Sequence, residues 1–93
     1  MLRPNEIEYT VQIWQEREQF VAHAMPLDVM SCGPDPASAR AAVAEAVEVF
    51  LLTAKDMGSL EEILCECGYA RHDGAWQSPG WVSIERGLTA VGT

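Results

Sequence analysis

Cys65 and Cys67, together with Cys32, His23 and His72, are of the types that hold zinc, because thiolates and imidazoles are its usual protein ligands. Their spacing argues for something plainer. Residues two apart on a helix point to nearly opposite sides, so Cys67 is expected inward and Cys65 in water, and a shared grip on one ion fails. One core thiol and one surface thiol is the expectation. Nucleophilic catalysis needs a Cys or Ser beside a His that a third group orients. The histidines offer no such constellation: His23 falls in a strand pattern, and His72 lies beside Asp73 in a loop. Glu61 with Glu62, and Glu45 with Glu48, could in principle bind a divalent ion or move protons, yet both pairs fall on helix faces expected to be solvated. No glycine-rich turn leads into a helix with a Lys behind it, so no phosphate loop is expected. No catalytic residue, metal ligand or cofactor is assigned, and the chain is not expected to be an enzyme.

The elements that must carry any other site follow from hydrophobic periodicity. Ile7 to Trp14 alternates, with Ile7, Tyr9, Val11 and Ile13 on one side and Glu8, Thr10, Gln12 and Trp14 on the other, which is the period of a half-buried strand. A charged stretch, Gln15 to Glu18, separates it from a second β-prone run, Gln19 to Met25, so the two read as a hairpin. Val29 to Cys32 is a third strand, closed by Gly33-Pro34. Asp35-Pro36 then starts a helix well: the Asp carboxylate can accept from first-turn amides, and Pro at N1 gives up a donor that had no partner.

Ala39, Val43, Ala46, Val47, Phe50, Ala54 and Met57 form the apolar stripe of that long helix, with Gly58 as its C-terminal cap. Glu45, Glu48, Lys55 and Asp56 lie opposite, with Leu52 as an exposed aliphatic residue among them. Ser59 to Glu62 has the form of a capping box for a second, short helix that turns Leu60, Ile63, Leu64 and Cys67 inward and ends at Gly68. Tyr69 to Gly80 reads as loop, with a turn at Asp73-Gly74 and Trp76 and Pro79 as anchors, and Trp81 to Glu85 alternates as a last strand.

The expected fold is α+β, in the order βββααβ. A three-stranded antiparallel meander is covered on one face by one long and one short helix, and a C-terminal strand returns to an edge of the sheet. Residues 1–93 make a single domain, since the 93-residue chain leaves no room for a second core. If Tyr9, Val11 and Ile13 face the helices, Trp14 and Trp81 point to the open face with Thr10, Gln12 and Ser83. Two exposed indoles suit an interface.

Charge narrows the partners. The net charge is -8, from 6 Lys and Arg against 14 Asp and Glu, and nucleic acid would be repelled, so no direct nucleic-acid binding is expected. An acidic surface instead complements a basic one, such as a protein that itself handles phosphates. The 3 Cys and the absence of a leading apolar run point to a reducing, cytoplasmic setting, and no apolar run is long enough for a membrane span.

On these residues the chain resembles the HicB-like antitoxins, small proteins with a partial RNase H-like fold that neutralise HicA-type mRNA-cleaving toxins. The family's alternating first strand resembles Tyr9-Thr10-Val11-Gln12-Ile13-Trp14, and its second strand with a following Pro resembles Phe20 to Pro26. Its Gly, capping residue, Pro and Ala-rich helix are similar to Gly33-Pro34-Asp35-Pro36-Ala37-Ser38-Ala39, and Glu61 to Tyr69 looks like its passage from helix to Gly and aromatic. Ala37-Ser38 stands where an acidic pair is usual, and no segment looks like the DNA-binding tail of longer members. The resemblance implies a protein-binding role, not nuclease activity. The expectation is an antitoxin-like domain that sequesters a basic, HicA-like or other RNA-acting protein by masking its surface. Gln12, Trp14 and Trp81 on the sheet and Glu45 and Glu48 on the helix are the partner-binding candidates. Two other readings stay open: an acidic, nucleic-acid-mimicking inhibitor of a nuclease, and a homo-oligomeric scaffold without a toxin.

Overall fold

The computed structural model describes residues 2–92. Its order is β1 (Thr10–Glu16), β2 (Gln19–Met25), β3 (Val29–Gly33), α1 (Pro36–Asp56), α2 (Leu60–Glu66), β4 (Ala70–His72) and β5 (Ala75–Gln77). The fold is α+β, with an antiparallel sheet ordered β1-β2-β3 and a separate β4-β5 hairpin.

The β1–β2 turn is two residues long, Arg17-Glu18, with Arg17 in the left-handed region and Glu16 paired with Gln19. Pairing ends at Thr10 and Met25 because the next residue of β2, Pro26, has no N–H to give. The ladder is therefore shifted toward the turn relative to the expected Ile7–Trp14. Ala22 and Ala24 of β2 are fully buried beneath Ala39, Val43 and Val47 of α1, and their small size lets the helix lie close to the sheet.

α1 opens on Asp35, whose carboxylate accepts from the Ser38 amide at 2.7 Å. That hydrogen bond holds the Asp35 carboxyl below its ordinary value. The helix closes on Gly58 at φ 74°, where the Ser59 amide donates to the Ala54 carbonyl and the Gly58 amide to Lys55. Met57, expected on the core stripe, is this helix's exposed capping residue. The expected capping box is not formed: the Ser59 hydroxyl turns back to the Ala54 carbonyl at 3.3 Å and makes no cap to α2. The Ser59 backbone, at φ -108° and ψ 4°, is not in the extended region from which a capping side chain reaches the amides ahead. α2 buries Leu64 completely, and Gly68 at φ 88° ends it in the same manner as Gly58 ends α1.

Among the described residues no strand returns to the edge of the three-stranded sheet, the place expected for the C-terminal segment; the late strands form a hairpin of their own. Trp81 to Glu85 forms no ladder; β4 and β5 do, joined at Asp73-Gly74, both with positive φ. A two-residue turn makes local pairing cheap, whereas Trp81–Glu85 has no such neighbour. β5 reaches back to the N-terminal segment through a parallel bridge between Ile7 and Trp76. The Glu8 amide donates to the Trp76 carbonyl and the Trp76 amide to the Glu6 carbonyl. Trp76 is buried, as its role of anchor requires, and Arg71 lies over its ring at 5.4 Å. Among the described residues no helix is long and apolar enough to cross a membrane.

Candidate interaction face

Alternation along the three strands sorts their side chains into two sets. Tyr9, Val11, Ile13, Phe20, Ala22, Ala24 and Val29 pack into the core under the helices. The other set faces away from them, and the register aligns it in rows: Thr10 beside Met25; Gln12 beside His23 and Met30; Trp14 beside Val21 and Cys32. Among the described residues no helix lies over this second face. It contains a buried residue all the same, since Val21 is enclosed between Trp14 and its neighbours while standing apart from the main core.

The expected sheet residues are therefore together. Gln12 is exposed and Trp14 half-buried on the open face. Trp81 joins them although it is not in a strand: its indole N–H donates to the Thr10 hydroxyl at 2.7 Å, and the residue is 46% exposed. Glu45 and Glu48 are elsewhere, exposed on α1 in the helix layer, so the five candidates do not form one surface. Glu48 borders a groove of about 560 Å³ between α1 and the N-terminal segment, whose walls include Ile7, Tyr9, Leu51 and Trp76. Glu45 borders a shallower one beside β3. Leu52 is exposed at the rim of the first groove.

The sheet face also holds residues not singled out from the sequence. His23 Nε2–H donates to Asp28 Oδ1 at 2.7 Å, and its ring stands edge-on to Trp14 with centroids 6.4 Å apart. Asp28 sits at φ 62° in the β2–β3 turn, which swings its carboxylate back under the strand. Met30 is 55% exposed beside His23. The hairpin register would have found them, because Gln12 opposite His23 puts both on one face. His72 is solvated next to Asp73, 3.8 Å away.

The cysteines are unbonded, with Cys65 exposed and Cys67 half-buried as the helix spacing requires. Burial pushes the Cys67 thiol up, and the charges of Glu66 and Asp28 add to the shift, so it is a poor source of thiolate. Among the described residues no group of His, Cys, Asp and Glu is placed to hold a metal ion. The face offers apolar contact, stacking and hydrogen bonds from Gln12, Thr10 and His23, which is the chemistry of recognition.

Comparison with protein-family models, with curated proteins and with solved structures gives no match.

Proposed function

We propose that this chain is a cytoplasmic, antitoxin-like protein-binding domain of the HicB kind, which sequesters a basic RNA-acting protein of the HicA kind. The observation that carries the reading is the uncovered sheet face, where Trp14, Met30 and Trp81 surround Gln12 and His23 on a molecule of net charge -8. Aromatic residues and Met are enriched at the centres of protein interfaces, and an acidic surround steers a basic partner in. The order of three strands followed by an Ala-rich helix supports the family resemblance.

In this reading the open face makes the short-range contact. Glu45 and Glu48, on the other layer, act through the field they add and not as contact residues. The decisive test is neutralisation: purified chain is titrated against a HicA-like mRNA interferase while RNA cleavage is followed. Wild type is expected to stop cleavage stoichiometrically, and Trp14→Ala to weaken binding at least tenfold, the scale of an interface hot spot of about 2 kcal/mol. Undiminished cleavage at excess wild-type chain would exclude the reading.

A further inference from the structure

We propose that the segment beyond Gly80 is an exchange arm, whose residues Val82 to Arg86 add as a fourth strand to the free outer edge of β1 in a second copy of the chain. Two halves of an interface stand unsatisfied in one copy. The first is the edge. Among the described residues no strand pairs with β1 on the side away from β2. On the helix-covered face at this border, Val11 and Ile13 are only half-buried, while Ala22 and Ala24 of β2 are buried completely.

The second half is the arm. Val82 is 100% exposed and Ile84 60%, and they alternate with Trp81, Ser83 and Glu85 in a strand period without a ladder. The arm stands off the body, and with it the molecule measures 49 Å along its long axis against 29 and 27 Å across. Gly80 provides a place to swing, since without a Cβ its backbone has a wide choice of angles and no neighbour crowds it within 4 Å of where a Cβ would stand.

The base of the arm indicates the register. From Ala75 to Trp81 the chain runs beside Glu6 to Thr10 in the same direction. The ties are the Ile7–Trp76 bridge, the Ser78 hydroxyl donating to the Glu8 carboxylate at 2.7 Å, and the Trp81 indole on Thr10 at 2.7 Å. Counted from the last of these ties, with Trp81 beside Thr10, and continued along β1 of the second copy, the arm sets Val82 beside Val11 and Ile84 beside Ile13 on the helix-covered face. Trp81, Ser83 and Glu85 then fall with Thr10, Gln12 and Trp14 on the open one. Polar and apolar faces match without adjustment, which a one-residue slip would undo. Within one copy the arm does not follow this path, and reciprocal exchange about a two-fold axis supplies each edge with a strand and each arm with a sheet.

The test is the mass of the full chain in solution by light scattering, from low to high micromolar concentration. It is run beside a Val82→Lys/Ile84→Lys double variant and a chain ending at Gly80. Both variants change only residues outside the core, so circular dichroism should show the folded spectrum for all three. Wild type is expected at twice the chain mass and both variants at the chain mass, with amide exchange slowed at outward-pointing β1 amides in the dimer only. A wild-type monomer at every concentration would overturn the proposal, including one whose β1 amides are protected by its own arm. So would a dimer that survives both variants. The outcome is independent of toxin neutralisation, which the Trp14→Ala titration reads separately.

Discussion

Tyr69 is a side chain that ties the second half of the chain to the first. It is buried, and its hydroxyl donates to the Glu8 carbonyl at 2.6 Å, across 61 positions of sequence. Burial, then the nearby Cys67 and Glu8, pushes its phenol up from 10.0 to about 12. The native state thus keeps this proton after the unfolded chain has lost it. The associated stability is complete below pH 10 and drains away as the pH rises toward about 12. Denaturation midpoints measured across that window should fall, and Tyr69→Phe should flatten the part of the fall that this phenol causes. At neutral pH the same substitution should cost about 1 kcal/mol, the typical net worth of a hydrogen bond whose acceptor is left unpaired.

Between elements, the tightest joint is the one from β3 into α1. A Cβ on Gly33 would lie 2.8 Å from the Ala39 amide nitrogen and 2.8 Å from the Ser38 Cβ, so the first turn of α1 must move to admit it. Gly33→Ala is expected to destabilise by about 1–3 kcal/mol in urea unfolding, whereas Gly80→Ala, with open space around it, should leave the midpoint in place. The same element scale shows what the sequence makes legible. α1 could be read to its ends, because Asp35-Pro36 and Gly58 are local signals that the backbone obeys. β2 likewise stands where its β-prone run put it.

The misplacements arise where a local pattern does not decide which group, if any, will be its partner. Ser59 sits at φ -108° and ψ 4°, outside the extended backbone of a capping residue, and its hydroxyl donates back to Ala54. Ile7 alternates in step with β1 yet pairs with Trp76, a choice fixed by a residue far along the chain. The strand-like pattern of Trp81 to Glu85 is present in the residues, but pattern alone supplies no partner strand. For the candidate face, Trp14 and Gln12 were readable from alternation. His23 and Met30 needed the cross-strand register, and the placement of Trp81 depends on a single hydrogen bond to Thr10.

As a whole the molecule presents two unlike surfaces. The open sheet face carries the aromatic and thioether groups, while the helix layer carries Glu45, Glu48, Glu62 and Glu66, all exposed. Arg71 answers Glu61 at 2.9 Å, an exposed pair that leaves the rest of the acidic field uncompensated. Such a field acts at a distance and is screened within about 10 Å at 0.1 M salt. Association with a basic partner should therefore slow steeply as salt rises. A Glu45→Lys/Glu48→Lys variant should associate more slowly at low salt with its dissociation rate nearly unchanged, as stopped-flow mixing would show.

The link between Trp76 and the Glu6–Glu8 backbone has a further consequence for a chain made from its N-terminus. The meander and α1 can assemble from neighbours in sequence, while Ile7 and Tyr9 wait for a tryptophan that follows α2. Until it arrives, a ribosome-bound chain has a bare apolar flank beside α1, the stage at which a chaperone would find it.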